Sequence, residues 1–302
     1  MSFFSRVVTS VTQSKPVEKV ITGTRPGRSL ASRFVAGDTL EDAVRVAKDL
    51  NDRGFLVSLD LLGEEVHDAR SAGQALEEYL ECLDRIESDG LESNVSVKLT
   101  QLGLSIDREQ AVEAVSRLAT RAGEVGTSVT IDMEDSRFTA DTIDIYEEAQ
   151  SQHGNVGVAI QAYLKRTPDD IERLLPLNGH IRLCKGAYVE PAEIAYTLKS
   201  AVDGAYAHGL ATLMAAETVR PAIATHDRSL IERARRLAPP RLGYFEFQML
   251  YGVRPSLQQE LVDQGFPVRI YLPFGSQWYP YLTRRMAERP ANVWFFIRSL
   301  FG

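Results

Sequence analysis

The sequence predicts an α/β protein of the (β/α)₈ barrel class, with an N-terminal helical lead-in and a C-terminal helix. Three observations predict it. Eight short β-rich runs alternate with longer segments of helical periodicity. Several runs are apolar without clean alternation, as parallel strands covered on both faces should be. The chain has 302 residues, a length that could hold two domains but that a single barrel commonly uses.

Residues 1–37 precede the first unit and read as a short helix and an extended lead-in; the barrel is expected over 38–302. The strand-like runs are Phe55–Leu62, Val95–Leu99, Ser128–Met133, Val156–Tyr163, Ile181–Tyr188, Pro221–His226, Tyr244–Leu250 and Val268–Leu272. Thr39–Arg53 reads as the first barrel helix, with Leu40, Ala43, Val44, Ala47 and Leu50 on one stripe and Asp38 as its N-cap. Asp107–Val125 repeats the pattern with Ala111, Ala114, Val115 and Leu118. Leu210–Ala216 is also apolar, but its spacing assigns it to the end of a long helix rather than to the sixth strand. At the C-terminus, Trp294, Phe295, Phe296, Leu300 and Phe301 form an apolar stripe on a final helix docked against the barrel. Phe3 and Phe4 at the other terminus leave a membrane or quinone approach open.

Apolar residues make up 44% and charged residues 25%, which suits a globular chain with a full core. The net charge of −7 argues against nucleic acid as the main partner, because binding a polyanion needs a basic field. Only two cysteines occur, Cys82 and Cys184, without CxxC or Cys/His spacing, so neither a disulfide framework nor a metal site is expected. The N-terminus lacks a long apolar stretch with a cleavage site, and no apolar run is long enough to span a bilayer. A cytoplasmic location follows as the expectation.

In such barrels the active site gathers at the C-terminal ends of the strands. Polar residues there are Asp60, Lys98, Asp132, Gln161, Arg182, Lys185, Tyr188, Thr225, His226, Gln248 and Tyr271. Polar groups inside apolar strands are costly unless paired, so one near nearly every strand end points to a site. After the eighth run, the helix Gln277–Arg289 carries Tyr281, Arg284, Arg285 and Glu288 at i, i+3, i+4 and i+7, on one face. Adjacent arginines repel unless an anion lies between them, and guanidinium offers a bidentate fit to carboxylate. An isolated pair is more often a solvated basic turn; the aligned Tyr281 and the place just after the last strand favour an anion clamp. A lone His226 is ordinarily a satisfied core histidine, and Tyr188 and Tyr271 are open to a reading as rim packing, for Tyr271 on nearly equal terms. Glu134 and Asp135 read as solvated loop acids. No GxGxxG loop is present, which leaves no sign of a Rossmann dinucleotide site.

Taken together, RLCKGAY at Arg182–Tyr188, ATH at Ala224–His226, FQML at Phe247–Leu250 and RIYLPFG…YLTRRMAE from Arg269 to Glu288 resemble the proline dehydrogenase family. The KL that begins at Lys98 and the ID at Ile131–Asp132 add to the resemblance, which covers about residues 38–292. The resemblance implies a barrel that binds FAD and oxidises L-proline to Δ1-pyrroline-5-carboxylate, the first step of proline catabolism, with electrons passed to a quinone through peripheral contact with the membrane. It implies Arg284, Arg285 and Lys98 around the proline carboxylate, with Asp132 positioning this basic cluster. Tyr271, Tyr281 and Leu250 resemble the walls of the pyrrolidine site, and Tyr188 a residue between substrate and flavin. Arg182 resembles the arginine beside the reactive flavin nitrogen. Gln161, Lys185, Gly186, Ala187, Thr225, His226 and the Met133 backbone resemble FAD contacts, and Glu288 an ion-pair partner on the arginine helix.

The physical reading agrees with that implication. A cationic clamp would orient the zwitterionic proline ring, and Arg182 would stabilise charge developing on the cofactor. No residue stands out as the base for the amine proton. The chain ends soon after the arginine helix, so the monofunctional type is expected. Val189 and Pro191 stand where relatives often carry a bulkier residue, and Tyr281 resembles the proline-preferring members. Two other readings remain open on the residues alone: a Schiff-base barrel using Lys98 or Lys185, and a non-catalytic proline-binding barrel.

Overall fold

The computed structural model describes residues 31–63, 65–239 and 244–288, apart from the side chains from Arg284 onward. Most of the expected lead-in, with Phe3 and Phe4, and the apolar stripe from Trp294 to Phe301 lie outside the described residues. The centre is a closed barrel of parallel strands in sequential order. They are β1 (Leu56–Leu61), β2 (Ser93–Val97), β3 (Val129–Ile131), β4 (Val156–Gln161), β5 (His180–Cys184), β6 (Arg220–Ala224), β7 (Glu246–Leu250) and β8 (Val268–Phe274). Pairing of Leu56–Leu61 with Arg269–Phe274 closes the ring.

Parallel neighbours need crossovers, and helices supply them. α1 (Leu40–Asp52) precedes β1. Then come α2 (Ala69–Asp89), α3 (Arg108–Val125), α4 (Thr139–His153), α5 (Thr167–Leu174), α6 (Lys199–Ala215), α7 (Arg228–Leu237), α8 (Pro255–Asp263) and, after β8, α9 (Trp278–Glu288). Ala43, Val44, Ala47 and Leu50 of α1 are buried as the stripe requires, whereas Leu40 is only half-buried. The cap of α1 differs from expectation. Thr39, extended at φ −121 and ψ 159, accepts from Asp42 N at 3.2 Å, so it caps the helix and Asp38 falls one residue too early. Asp107 caps α3 by accepting from Glu109 N. Leu210, Leu213 and Met214 lie buried on α6, which leaves Arg220–Ala224 as the sixth strand.

Most strands end earlier than their apolar runs suggested, so Lys98, Asp132, Met133, Tyr188 and His226 sit just beyond strand ends. The strands also alternate more cleanly than expected. Side chains at successive strand positions face opposite ways. Val57 and Leu59, Val95 and Val97, Ile181 and Leu183, Phe247 and Met249, and Val268 and Ile270 join the main hydrophobic core with the helices. The intervening residues meet inside the ring. Ser58 bonds Ser96, Asn94 reaches Thr130, Arg269 reaches Glu246 and Asn94, and Arg182 reaches Ser96 and Gln248. Barrel interiors are usually filled by bulky branched residues. This one is filled by hydrogen-bonded and ion-paired groups, so the apolar core lies between sheet and helices.

Candidate active site

Because all strands run the same way, their C-terminal ends open onto one mouth. A cavity of about 790 Å³ lies there. Each side chain enters it from a different strand end: Asp60 from β1, Lys98 after β2, Asp132 after β3, Gln161 from β4, Arg182 from β5, Gln248 from β7 and Tyr271 from β8. Met133, Lys185, Gly186, Ala187, Tyr188, Thr225, His226, Leu250 and Tyr281 line it too. Every predicted site residue whose side chain is described therefore meets in one cavity. Arg284, Arg285 and Glu288 follow Tyr281 on α9, and their side chains lie outside the described residues.

Asp132 is the point where the groups converge. One carboxylate oxygen accepts from Arg182 Nη1, and the other accepts from the Tyr271 hydroxyl at 2.6 Å with Lys98 Nζ at 3.7 Å. Arg182 is 3% exposed, and it also donates to Gln248 Oε1 at 2.5 Å and Ser96 Oγ at 2.8 Å. Three of the five N–H donors of its guanidinium are thus engaged, and Arg182 still lines the cavity. Its centre lies 5.3 Å from the Tyr271 ring, a cation–π contact. Burial and the Asp132 charge push the Tyr271 hydroxyl well above its ordinary range, so it stays a donor.

Lys98 donates to Asp60 Oδ1 at 2.6 Å. Burial works against its charge, but Asp60 and Asp132 outweigh it and push the ammonium above its ordinary value. A lysine held this firmly in its charged form is poorly suited to Schiff-base attack, which needs a free amine. Lys185 is also engaged, with Asp203 Oδ1 at 2.5 Å and Asp227 Oδ2 at 2.9 Å.

The remaining residues set the wall. Gln161 holds the β5–α6 loop to the β3–α4 loop: its Oε1 accepts from Ala187 N at 3.1 Å and its Nε2 donates to Glu134 O at 2.8 Å. Gly186 adopts φ +123 with the Tyr163 ring packed where a Cβ would stand, so only glycine fits. His226 Nε2 accepts from Leu250 N at 3.0 Å, which requires an unprotonated Nε2 and ties the β6 end to β7. His226 is thus a tethered histidine that also lines the cavity. Thr225 Oγ1 accepts from Asp227 N at 3.1 Å, fixing the turn into α7. Tyr281 is buried beside Leu62, Trp278 and Leu282, with Phe34 packed against them.

Glu134 departs from expectation. It is 8% exposed, not a solvated acid, and it accepts from Thr100 N at 3.0 Å and Thr100 Oγ1 at 2.5 Å. Burial raises its carboxyl above the ordinary value despite those bonds. Asp135 is a loop acid paired with Arg137. In the sequence, Ser96, Asp203, Asp227 and Glu246 carry no mark of a part in the site, and Asp60 and Gln248 are marked only by their place near strand ends. The signal for Ser96, Gln248 and Glu246 was the two-residue period in SNVSV and EFQML. For Asp203 and Asp227, which sit on or beside helices, no such signal existed. Among the described residues, no group of His, Cys, Asp and Glu could hold a metal ion, and no helix is long and apolar enough to cross a membrane.

The residues present suit an anionic cofactor beside a small anionic substrate. Lys185, Lys199, Arg228 and Arg254 line the cavity with Arg182 and Lys98, a cationic set suited to phosphate and carboxylate. Met133, Met249 and Leu250 give it apolar surface.

Comparison with known proteins follows the same line. A family model described as proline dehydrogenase matches residues 43–298. The chain is 38% identical over 281 residues to proline dehydrogenase 1 of Bacillus subtilis (strain 168), covering 92% of each chain. It is 34% identical over 280 residues to proline dehydrogenase of Deinococcus radiodurans, covering 90% of each. Among solved structures, proline utilization A (PutA) from Bdellovibrio bacteriovorus inactivated by N-propargylglycine superposes with TM-score 0.80 at 25% identity, over 87% of this chain and 33% of that one.

Proposed function

The chain belongs to the proline dehydrogenase family and is an enzyme of proline oxidation; on that premise we propose that it oxidises L-proline to Δ1-pyrroline-5-carboxylate with FAD as its cofactor. The observation that carries this reading is the convergence of Arg182, Lys98 and Tyr271 on Asp132 inside one cavity. When bound, FAD supplies the two-electron acceptor for the hydride that leaves the ring carbon beside nitrogen. The protein supplies placement and charge. Lys98, held charged by Asp60 and Asp132, joins Arg284 and Arg285 of α9 as the cationic surface for the substrate carboxylate. Tyr271, Tyr281 and Leu250 bound the ring. Tyr188, half-buried on the β5–α6 loop, stands at the same cavity.

Arg182 would hold a fixed positive charge next to the flavin, and its rigid anchoring means that little reorganisation is needed as negative charge develops. Gln161, Gly186, Ala187, Thr225, His226, Lys185 and Met133 are the residues that would hold the cofactor. Asp132 orients its neighbours Arg182 and Tyr271 and has a structural part in this reading. Water serves as the base for the amine proton. A quinone is the proposed final acceptor, reached by peripheral contact at the inner face of the membrane.

The test is the visible spectrum of the purified protein. It should show a flavin band that L-proline bleaches under anaerobic conditions. Colourless protein that cannot be reconstituted with FAD would overturn the reading.

A further inference from the structure

Below Arg182 the barrel interior continues as a connected set of charges that the catalytic reading does not use. Glu246 begins β7 and Gln248 follows two residues later, so both side chains face inward. The Glu246 carboxylate accepts from Arg269 Nε at 2.7 Å and Arg269 Nη2 at 3.0 Å, and His180 Nε2 lies 3.4 Å away. Burial works against its charge, but Arg269 and His180 hold the carboxyl well below the usual carboxylate range. It is therefore a permanent acceptor. The Gln248 amide donates through Nε2 to Glu246 Oε1 at 2.5 Å and accepts through Oε1 from Arg182 Nε at 2.5 Å.

We propose that Glu246 is a positioning residue for Arg182 that acts through Gln248. An amide has one end that only donates and one that only accepts. A carboxylate on one side of Gln248 decides which end faces it, and so which end faces Arg182. Turned over, the amide would set its NH₂ against the Arg182 Nε–H and its oxygen against the Glu246 carboxylate, two like contacts in a buried place. Gln248 is 4% exposed, and Arg182 cannot borrow solvent to compensate. The Arg269–Glu246–Gln248 relay therefore selects the rotation in which Arg182 also reaches Ser96 and Asp132. An uncharged residue at 246 removes that selection without replacing any cavity-lining side chain, since Glu246 does not line the cavity.

This inference rests on the reading that Arg182 serves the flavin, and its test separates the two. The holoprotein is compared with E246Q, E246D and the exchanged pair E246Q/Q248E. E246D keeps the charge against Arg269 but retracts it from Gln248, which guards against a variant that fails to fold. The first readout is the Arg182 Nε–H resonance, assigned by its loss in R182K; it should lose exchange protection in E246Q and E246D. The second is kinetic and redox. Both single variants should lower kcat about tenfold, with proline KM and bound FAD within about twofold, and should shift the oxidised-to-reduced flavin equilibrium about tenfold, roughly 30 mV for a two-electron couple. The exchanged pair reverses the bond between the two positions, with a donor at 246 and a carboxylate at 248 that still accepts from Arg182 Nε, and should recover the protected resonance. Wild-type protection and kcat in E246Q and E246D would overturn the proposal. A moved resonance with unmoved flavin properties would support the positioning role and overturn the placement of Arg182 at the flavin.

Discussion

The Tyr271 hydroxyl donates to Asp132 Oδ2 at 2.6 Å, joining residues 139 positions apart across the barrel mouth, one from β8 and one from the end of β3. The same carboxylate takes the charge of Arg182, so its two neighbours depend on it unequally. Asp132→Ala leaves a buried guanidinium without its counter-charge and should cost about 3–5 kcal/mol. Tyr271→Phe removes one neutral donor and should cost about 1 kcal/mol. Denaturant unfolding of the two variants checks the ranking. Equal losses would mean that Asp132 does not carry the Arg182 charge.

Replacement of Arg284 or Arg285 by Met should raise the proline KM while FAD stays bound. Loss of one charge-assisted contact is worth about 1.5–3 kcal/mol, roughly ten- to hundredfold. Steady-state kinetics with flavin stoichiometry measures it. An unchanged KM would remove these residues from the carboxylate site.

Lys98 should not form a covalent adduct. Treatment with borohydride and a carbonyl compound such as pyruvate, followed by peptide mass analysis, is expected to leave Lys98 unmodified, because Asp60 and Asp132 keep it protonated. Lys98→Met should also destabilise the fold by about 3–5 kcal/mol, since Asp60 is 1% exposed and loses its partner. A trapped adduct at Lys98 would revive the Schiff-base reading.

Glu134 should leave a signature in the pH dependence of stability. Its carboxyl is raised in the folded protein, so the native state binds a proton more tightly than the unfolded chain. Its contribution is therefore most favourable at low pH and is lost as pH rises through the folded value. Glu134→Gln removes this dependence. Melting temperatures of the two proteins, compared from about pH 4 to pH 7, should move in favour of the variant as pH rises. A constant difference across that range would contradict the raised carboxyl.

Much of the architecture was legible because periodicity is a local property. Val57 and Leu59 of β1, or Ala43, Val44, Ala47 and Leu50 of α1, declare their buried faces by spacing alone. Boundaries were less legible. The Ser128–Met133 run was expected to extend two residues beyond Ile131, but only Val129–Ile131 pairs in the ladder, because strand ends are set by neighbours and not by composition. Glu134 was misread for a related reason. An acid in a loop is usually solvated, and only the packed β2–α3 turn with Thr100 shows that this one is covered.

The candidate site divides along the same line. By itself the sequence determined the order of strands and helices, which residues stand near the strand ends, and the motifs that carry the family resemblance. The tertiary structure alone decided who meets whom. Arg182 finds Ser96, Asp132 and Gln248 at separations of 86, 50 and 66 residues. A two-residue period says that a side chain faces inward, but closure of the ring chooses its partners, because inward neighbours come from strands that only the fold brings side by side.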